Sequence, residues 1–217
     1  MSAPLIDRDR RGAVELMRIN TGRANLLDRP GVAALSEGLA AAEASTESQV
    51  LLITGRPGIF CGGFDPAALA EDRDALQLEA EALLLSLLRS RLRVVACVNG
   101  HALGVGAGLL LAADVRVGAK GPFKIGFPDV GLGQALSSFT VNLARQRLSR
   151  RQFETATLLG RLFAPEEAVQ AGFIDWLESA RRAAKAASET ADRLAALPEA
   201  AYRETAARVR GHLFDQA

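Results

Sequence analysis

Cysteine, histidine, tyrosine and tryptophan are nearly absent from this 217-residue chain, with two, two, one and one respectively. The two cysteines, Cys61 and Cys97, have no metal or redox spacing, and His101 and His212 lie far apart. A zinc site is therefore not expected, and a reduced, cytosolic setting is. Charge of either sign is also not in excess: 26 basic and 25 acidic side chains leave a net +1. With nine Phe as the main aromatics, the chain lacks the basic surface and stacking groups that nucleic acid requires. No charged start followed by an apolar stretch opens the sequence, so a secretory signal is not expected. The one membrane-length candidate, Val94 to Asp114, is interrupted by Asn99, His101 and four glycines. It reads as a buried strand plus a buried helix, because a span needs about 20 mainly apolar residues in one continuous helix.

What is present is a strand and helix alternation in a chain long enough to bury a sizeable core. "GAVELMRIN" and "QVLLITG" read as strands. The Ala-rich "PGVAALSEGLAAAEAS" between them reads as a helix with Pro30 in its first turn. "PAALAEDRDALQLEAEALLLSLLRSRLR" has apolar residues at helical spacing, "VVACVNG" returns to strand, "GVGAGLLLAAD" is helical, and "VRVGA" and "PFKIG" are short strands. From Ala135 onward the pattern is helical except for a brief "GFIDWL", with a helix pair broken at Pro198. The expected organisation is an α/β core over residues 1–135, followed by a helical region over 136–217 that completes the core.

Two segments share one design, in which a strand ends, small residues follow and a helix begins: "ITGRPGIFCGGFD" and "ACVNGHALGVGAG". Each would expose backbone N–H groups at a helix start, where the first donors lack partners and the dipole favours negative charge. Facing each other, two such donors would form an oxyanion hole; singly, each glycine run could equally serve tight turns and close packing. "GVGAG" lacks the third glycine position of a dinucleotide fingerprint, and the acid near the required distance, Asp129, lies in what reads as a turn rather than at the end of a second strand, so NAD binding is not expected. No G-x-S-x-G turn occurs, so there is no visible nucleophilic triad, and His101 reads as a satisfied core histidine. Asp65 and Asp114 read as capping or pairing residues. Arg145, Arg147, Arg150 and Arg151 read as a solvated or inter-subunit face, and Glu79 and Glu81 as near the outside of their helix. Asp129, in "GFPDVG", could be a turn residue.

Taken together, "IFCGGFD", "VNGHALGVGAGLLLAADVRV" and "LLGRLFAPEEAVQAGFIDWL" resemble, in order, three motifs of the crotonase (enoyl-CoA hydratase/isomerase) superfamily, over about Val14 to Leu177. The resemblance implies a spiral of ββα units, with a helical C-terminal region that assembles trimers or pairs of trimers. It implies an acyl-CoA ligand, coenzyme A entering as part of the substrate with no separate cofactor or metal. It puts the oxyanion donors at the backbone N–H groups of Phe64 and Val105. The acyl-CoA would contact Phe60, Gly62, Gly63, Asp65, Gly104 and Gly106, with an adenine-binding turn at Arg23, Ala24, Asn25 and Leu26, and in the family the helix that here carries Glu79 and Glu81 can line the acyl pocket. Where family hydratases hold two glutamates over the double bond, this chain has Gly108 and Asp129. Asp129 is thereby the expected acid/base, and single-acid isomerisation is favoured over efficient hydration. A catalytically reduced acyl-CoA binding protein, or a hydrolase using His101 or Asp129, are the alternatives.

Overall fold

A computed structural model describes residues 4–214, with side chains to Gly211, so the side chain of His212 lies outside the described residues. The chain opens with a hairpin of β1 (Ile6–Arg11) and β2 (Val14–Ile19), in antiparallel register from Ile6↔Ile19 to Arg11↔Val14. There follow β3 (Leu26–Leu27), α1 (Arg29–Ala44), β4 (Val50–Thr54), β5 (Gly58–Cys61), β6 (Gly63–Phe64), α2 (Pro66–Arg89) and β7 (Arg93–Val98). β8 (Gly100–Leu103), α3 (Val105–Ala112), β9 (Val115–Ala119) and β10 (Ile125–Gly126) come next, then a 3-10 turn (Asp129–Leu132). The rest is α4 (Ser138–Arg147), α5 (Arg150–Thr157), α6 (Pro165–Ala171), β11 (Trp176–Glu178), α7 (Ala183–Ala195) and α8 (Glu199–Phe214).

The main sheet has the order β1-β2-β4-β7-β9-β11 and is parallel apart from β1. A parallel sheet buries both faces, which explains the unbroken apolar runs in β4 and β7. Leu51 and Ile53 of β4 join the larger core with α1 and α2, whereas Val50 and Leu52 face Ala186, Ala187 and Ala191 of α7. Alanine on α7 lets that helix lie close to the sheet. β1 is the element that apolar patterning does not predict. Its sequence, IDRDRR, is exposed beyond its first two residues, and charge on a sheet edge discourages pairing with another chain.

A three-stranded sheet, β10-β8-β5, and a two-stranded one, β3-β6, stand beside the main sheet and end together at the starts of α2 and α3. α1 begins as its proline implies, with Asp28 accepting from Gly31 N–H at 2.8 Å. α2 is kinked at Asp72, whose side chain accepts from Ala75 N–H at 3.0 Å and so caps the longer second part. Residues 136–217 add β11 beside β9 and lay α7 over the second face of the sheet. "PFKIG" narrows to Ile125–Gly126, and the break at Pro198 falls between α7 and α8.

Candidate active site

The first turn is built on β6. Asp65 N–H donates to Leu27 O on β3 at 2.9 Å, and Gly62 N–H donates to Ala24 O at 3.1 Å. Successive amides on a strand point to opposite sides, so the N–H of Phe64 turns away from β3. Asp65 then caps α2, accepting from Ala67 N–H at 2.8 Å and Ala68 N–H at 3.3 Å. The second turn runs from β8 into α3, where Val105 is the first helical residue and its N–H has no acceptor within the helix.

Glycine brings the two turns together. Gly63 has φ +103° and Gly104 φ +54°, conformations that other residues seldom adopt. A Cβ on Gly104 would lie 3.8 Å from Gly63 Cα, and one on Gly63 would lie 3.3 Å from Leu103 O. Gly62 and Gly106 serve close approach: a Cβ on either would sit 2.5 Å from a carbonyl oxygen, of Ala24 and Cys61 respectively.

Beneath the turns lies a cavity of about 430 Å³, counted to its open mouth, whose lining includes Phe64, Gly104, Val105, Gly108 and Asp129. A wider cleft of about 1050 Å³, counted with the space open to solvent, is bordered by Gly62, Gly63, Phe64, Arg73, Gly104 and Asp129. Phe64, Gly104 and Asp129 border both, so the two spaces meet at the paired turns.

Asp129 opens the 3-10 turn, and its Oδ2 is buried with no hydrogen-bond partner among the described residues. Burial lifts its carboxyl above the usual carboxylate range, while its own backbone N–H and the charge of Arg73 pull it back. A buried polar atom without a partner is costly to the fold. Gly108 leaves the facing wall bare. A Cβ there would meet Leu84 Cδ1 of α2 at 3.0 Å, so the glycine admits that leucine.

The remaining residues singled out by sequence divide clearly. The turn at Arg23 and Ala24 is exposed and docked on Gly62, with Leu26 half-buried beside it. Asn25 is buried at φ +45° and donates to Ile19 O and Phe60 O, which fixes the turn against β5. Phe60 is 1% exposed, belongs to the core and borders neither cavity. His101 Nδ1 accepts from Lys124 N–H at 3.0 Å and its ring meets Phe123 edge-on, also away from both cavities. Burial pushes the Cys61 thiol up to about 12, which leaves it without nucleophilic character.

One expectation changes and one is narrowed. Arg147 is not part of a solvated face: its guanidinium donates to Leu111 O at 2.9 Å and Ala113 O at 3.3 Å, closing the end of α3. Burial and the nearby Arg116 and Arg210 lower its pKa to about 10. Glu79 does lie outward, paired with Arg29, but Glu81 borders the cavity. Helical spacing puts Gln77, Ala80, Glu81 and Leu84 on one face, and the packing of other elements makes it the face that meets the cavity. Arg73 is likewise a contribution that the motifs did not indicate.

Among the described residues no group of three or more His, Cys, Asp or Glu could hold a metal ion, and no helix is long and apolar enough to cross a membrane. The enoyl-CoA hydratase/isomerase family model matches residues 9–216. Over 170 residues the chain is 30% identical to the human mitochondrial enoyl-CoA delta isomerase 1, covering 74% of this chain and 55% of that protein. It therefore spans about half the length of the curated relatives it matches first. Among solved structures it superposes on an enoyl-CoA hydratase/isomerase family protein from Pseudomonas syringae with a TM-score of 0.94, at 31% identity, over 97% of this chain and 92% of that one. An enoyl-CoA hydratase from Mycobacterium marinum matches with a TM-score of 0.93, at 27% identity, over 98% and 94%. With the family model spanning nearly the whole chain and the same fold in both neighbours, this protein belongs to the enoyl-CoA hydratase/isomerase family.

Proposed function

We propose that the protein isomerises a 3-enoyl-CoA thioester to its 2-enoyl isomer, with Asp129 as the acid/base. The observation that carries this reading is the buried, unpartnered Oδ2 of Asp129 in a cavity shared with the two paired turns. The thioester carbonyl sits where the two spaces meet, its oxygen held by the N–H groups of Phe64 and Val105. A thioester acidifies its α-carbon, and the enolate forms because these donors are fixed before it does; one such donor is worth about 3 kcal/mol. The Asp129 carboxylate takes the proton from C2 and returns it to C4, while the double bond moves from C3=C4 to C2=C3. A carboxyl raised by burial suits both halves of this transfer, which is worth about 10² to 10⁴ in rate.

The acyl group lies in the smaller cavity and the rest of the coenzyme A thioester runs along the wider cleft, past Gly62 and Gly63 toward the turn at Arg23, Ala24 and Leu26. Coenzyme A is thus part of the substrate, with no separate cofactor. The protein assembles as a trimer or a pair of trimers, in a reduced cytosolic setting that suits two free, buried thiols. Val130, Leu132, Leu158 and Leu159 are exposed large apolar residues that assembly would cover. Sedimentation equilibrium tests this, with a monomer at micromolar concentration as the adverse result.

Incubation of the purified protein with a 3-enoyl-CoA, alongside calorimetry with acyl-CoA and NAD, tests the chemistry. Conversion to the 2-enoyl thioester with acyl-CoA binding and no NAD binding is expected. Tight binding of acyl-CoA with no turnover of any thioester would make the protein a binding scaffold instead.

A further inference from the structure

The face of α2 that borders the cavity consists of Gln77, Ala80, Glu81 and Leu84, at i, i+3, i+4 and i+7. Leu76, Leu83 and Leu87 show what burial alone selects on this helix, and Gln77 and Glu81 depart from it. Gln77 Nε2 donates to Glu81 Oε1 at 3.1 Å, which orients the carboxylate. No cation pairs with Glu81 among the described residues, whereas Glu79 on the outer surface is held by Arg29. Glu81 and Asp129 are the only ionisable side chains bordering this cavity among the described residues.

We propose that Glu81 is a second catalytic group of this site, one that holds and deprotonates a water molecule so that the protein also hydrates 2-enoyl-CoA thioesters. The proposal rests on the oxyanion and Asp129 reading above. Adding water to a double bond needs one group to take a proton from the water and another to supply one to carbon. The water oxygen bonds to C3 and its proton passes to the Glu81 carboxylate. The C2=C3 π electrons move onto the thioester oxygen, where the Phe64 and Val105 N–H groups hold the enolate. The enolate then collapses as the Asp129 carboxyl delivers its proton to C2. One water has been added, and the proton gained by Glu81 and lost by Asp129 exchange through solvent at the cavity mouth. Burial that favours the protonated form of Asp129 suits it to be the donor. Gly108 offers nothing from α3, and Leu84, packed where its side chain would start, belongs to the same face of α2 that presents Glu81.

The test measures hydration of crotonyl-CoA and isomerisation of a 3-enoyl-CoA side by side, in the wild type and in Glu81→Gln, together with acyl-CoA affinity. The ratio of hydration to isomerisation is expected to fall about tenfold or more in Glu81→Gln, with affinity retained. An unchanged ratio, or a wild type that isomerises and adds no water, overturns the role of Glu81 and leaves that of Asp129 standing. A wild type that turns over neither thioester overturns both.

Discussion

Two aspartates lie at the ends of the elements that form the site, and their surroundings are opposite. Asp114, just past α3, accepts from Val94 N–H at 2.7 Å and from the Tyr202 hydroxyl at 2.9 Å, and is paired with Arg210. Asp129, at the start of the 3-10 turn, has a buried oxygen that nothing meets. The first carboxylate is fully engaged and ties α8 to the sheet; burial and the charge of Asp114 push the Tyr202 phenol up. The second is left open beside a cavity. A buried acid with every partner present stabilises the fold, whereas one with an oxygen left unpaired costs it stability.

The contrast breaks most visibly at Asp114. Asp114→Asn leaves Arg210, 7% exposed, without its counter-charge and should destabilise the protein by about 3 kcal/mol or more. Thermal unfolding checks this, and an unshifted Tm would mean that the pair contributes nothing to the fold.

Gly108→Glu sharpens the other side, by asking whether a second acid fits on α3. Leu84 must give way to the new Cβ, so a loss of about 1 to 3 kcal/mol is expected, again read by thermal unfolding. A variant that keeps full stability and gains crotonyl-CoA hydration would show that the wall has room for a carboxylate.

The smallest effect concerns pH. Because the folded state raises the Asp129 carboxyl, it binds that proton more tightly than the unfolded chain does. The group therefore contributes stability below the ordinary carboxyl pKa of about 3.9, and that contribution is lost as pH rises through the folded value. Asp129→Asn should raise Tm relative to the wild type at neutral pH, with the difference shrinking toward pH 4. A difference that grows on acidification would contradict the burial of this carboxylate.

Local chemistry made much of this legible before the structure. The apolar runs of β4 and β7 read as strands, and Pro30 and Pro198 marked where helices start and part. The glycine pair after β5 pointed to a tight turn, close packing or a site, and the contact with the Ala24 carbonyl and the positive φ of Gly63 show the first two. What sequence did not reveal depends on contacts between distant residues. β1 is a strand because β2 offers it a partner, and no apolar alternation marks it. Arg147 was indistinguishable from its exposed neighbours until the end of α3 came to lie beside it. Helical spacing placed Gln77 and Glu81 on one face with Leu84, but which face meets a cavity is decided by α3 and the 3-10 turn.

The central claim is that an enolate forms at the paired turns, with Asp129 moving the proton. Exchange of the α-protons of a saturated thioester, butyryl-CoA, followed by NMR in D₂O, reports that step alone, whatever product the enzyme makes. The wild type should exchange them, and Asp129→Asn should do so about 10²-fold or more slowly with butyryl-CoA affinity nearly unchanged. Equal exchange by both proteins would remove Asp129 from the mechanism, and no exchange by a wild type that binds butyryl-CoA would contradict the enolate itself.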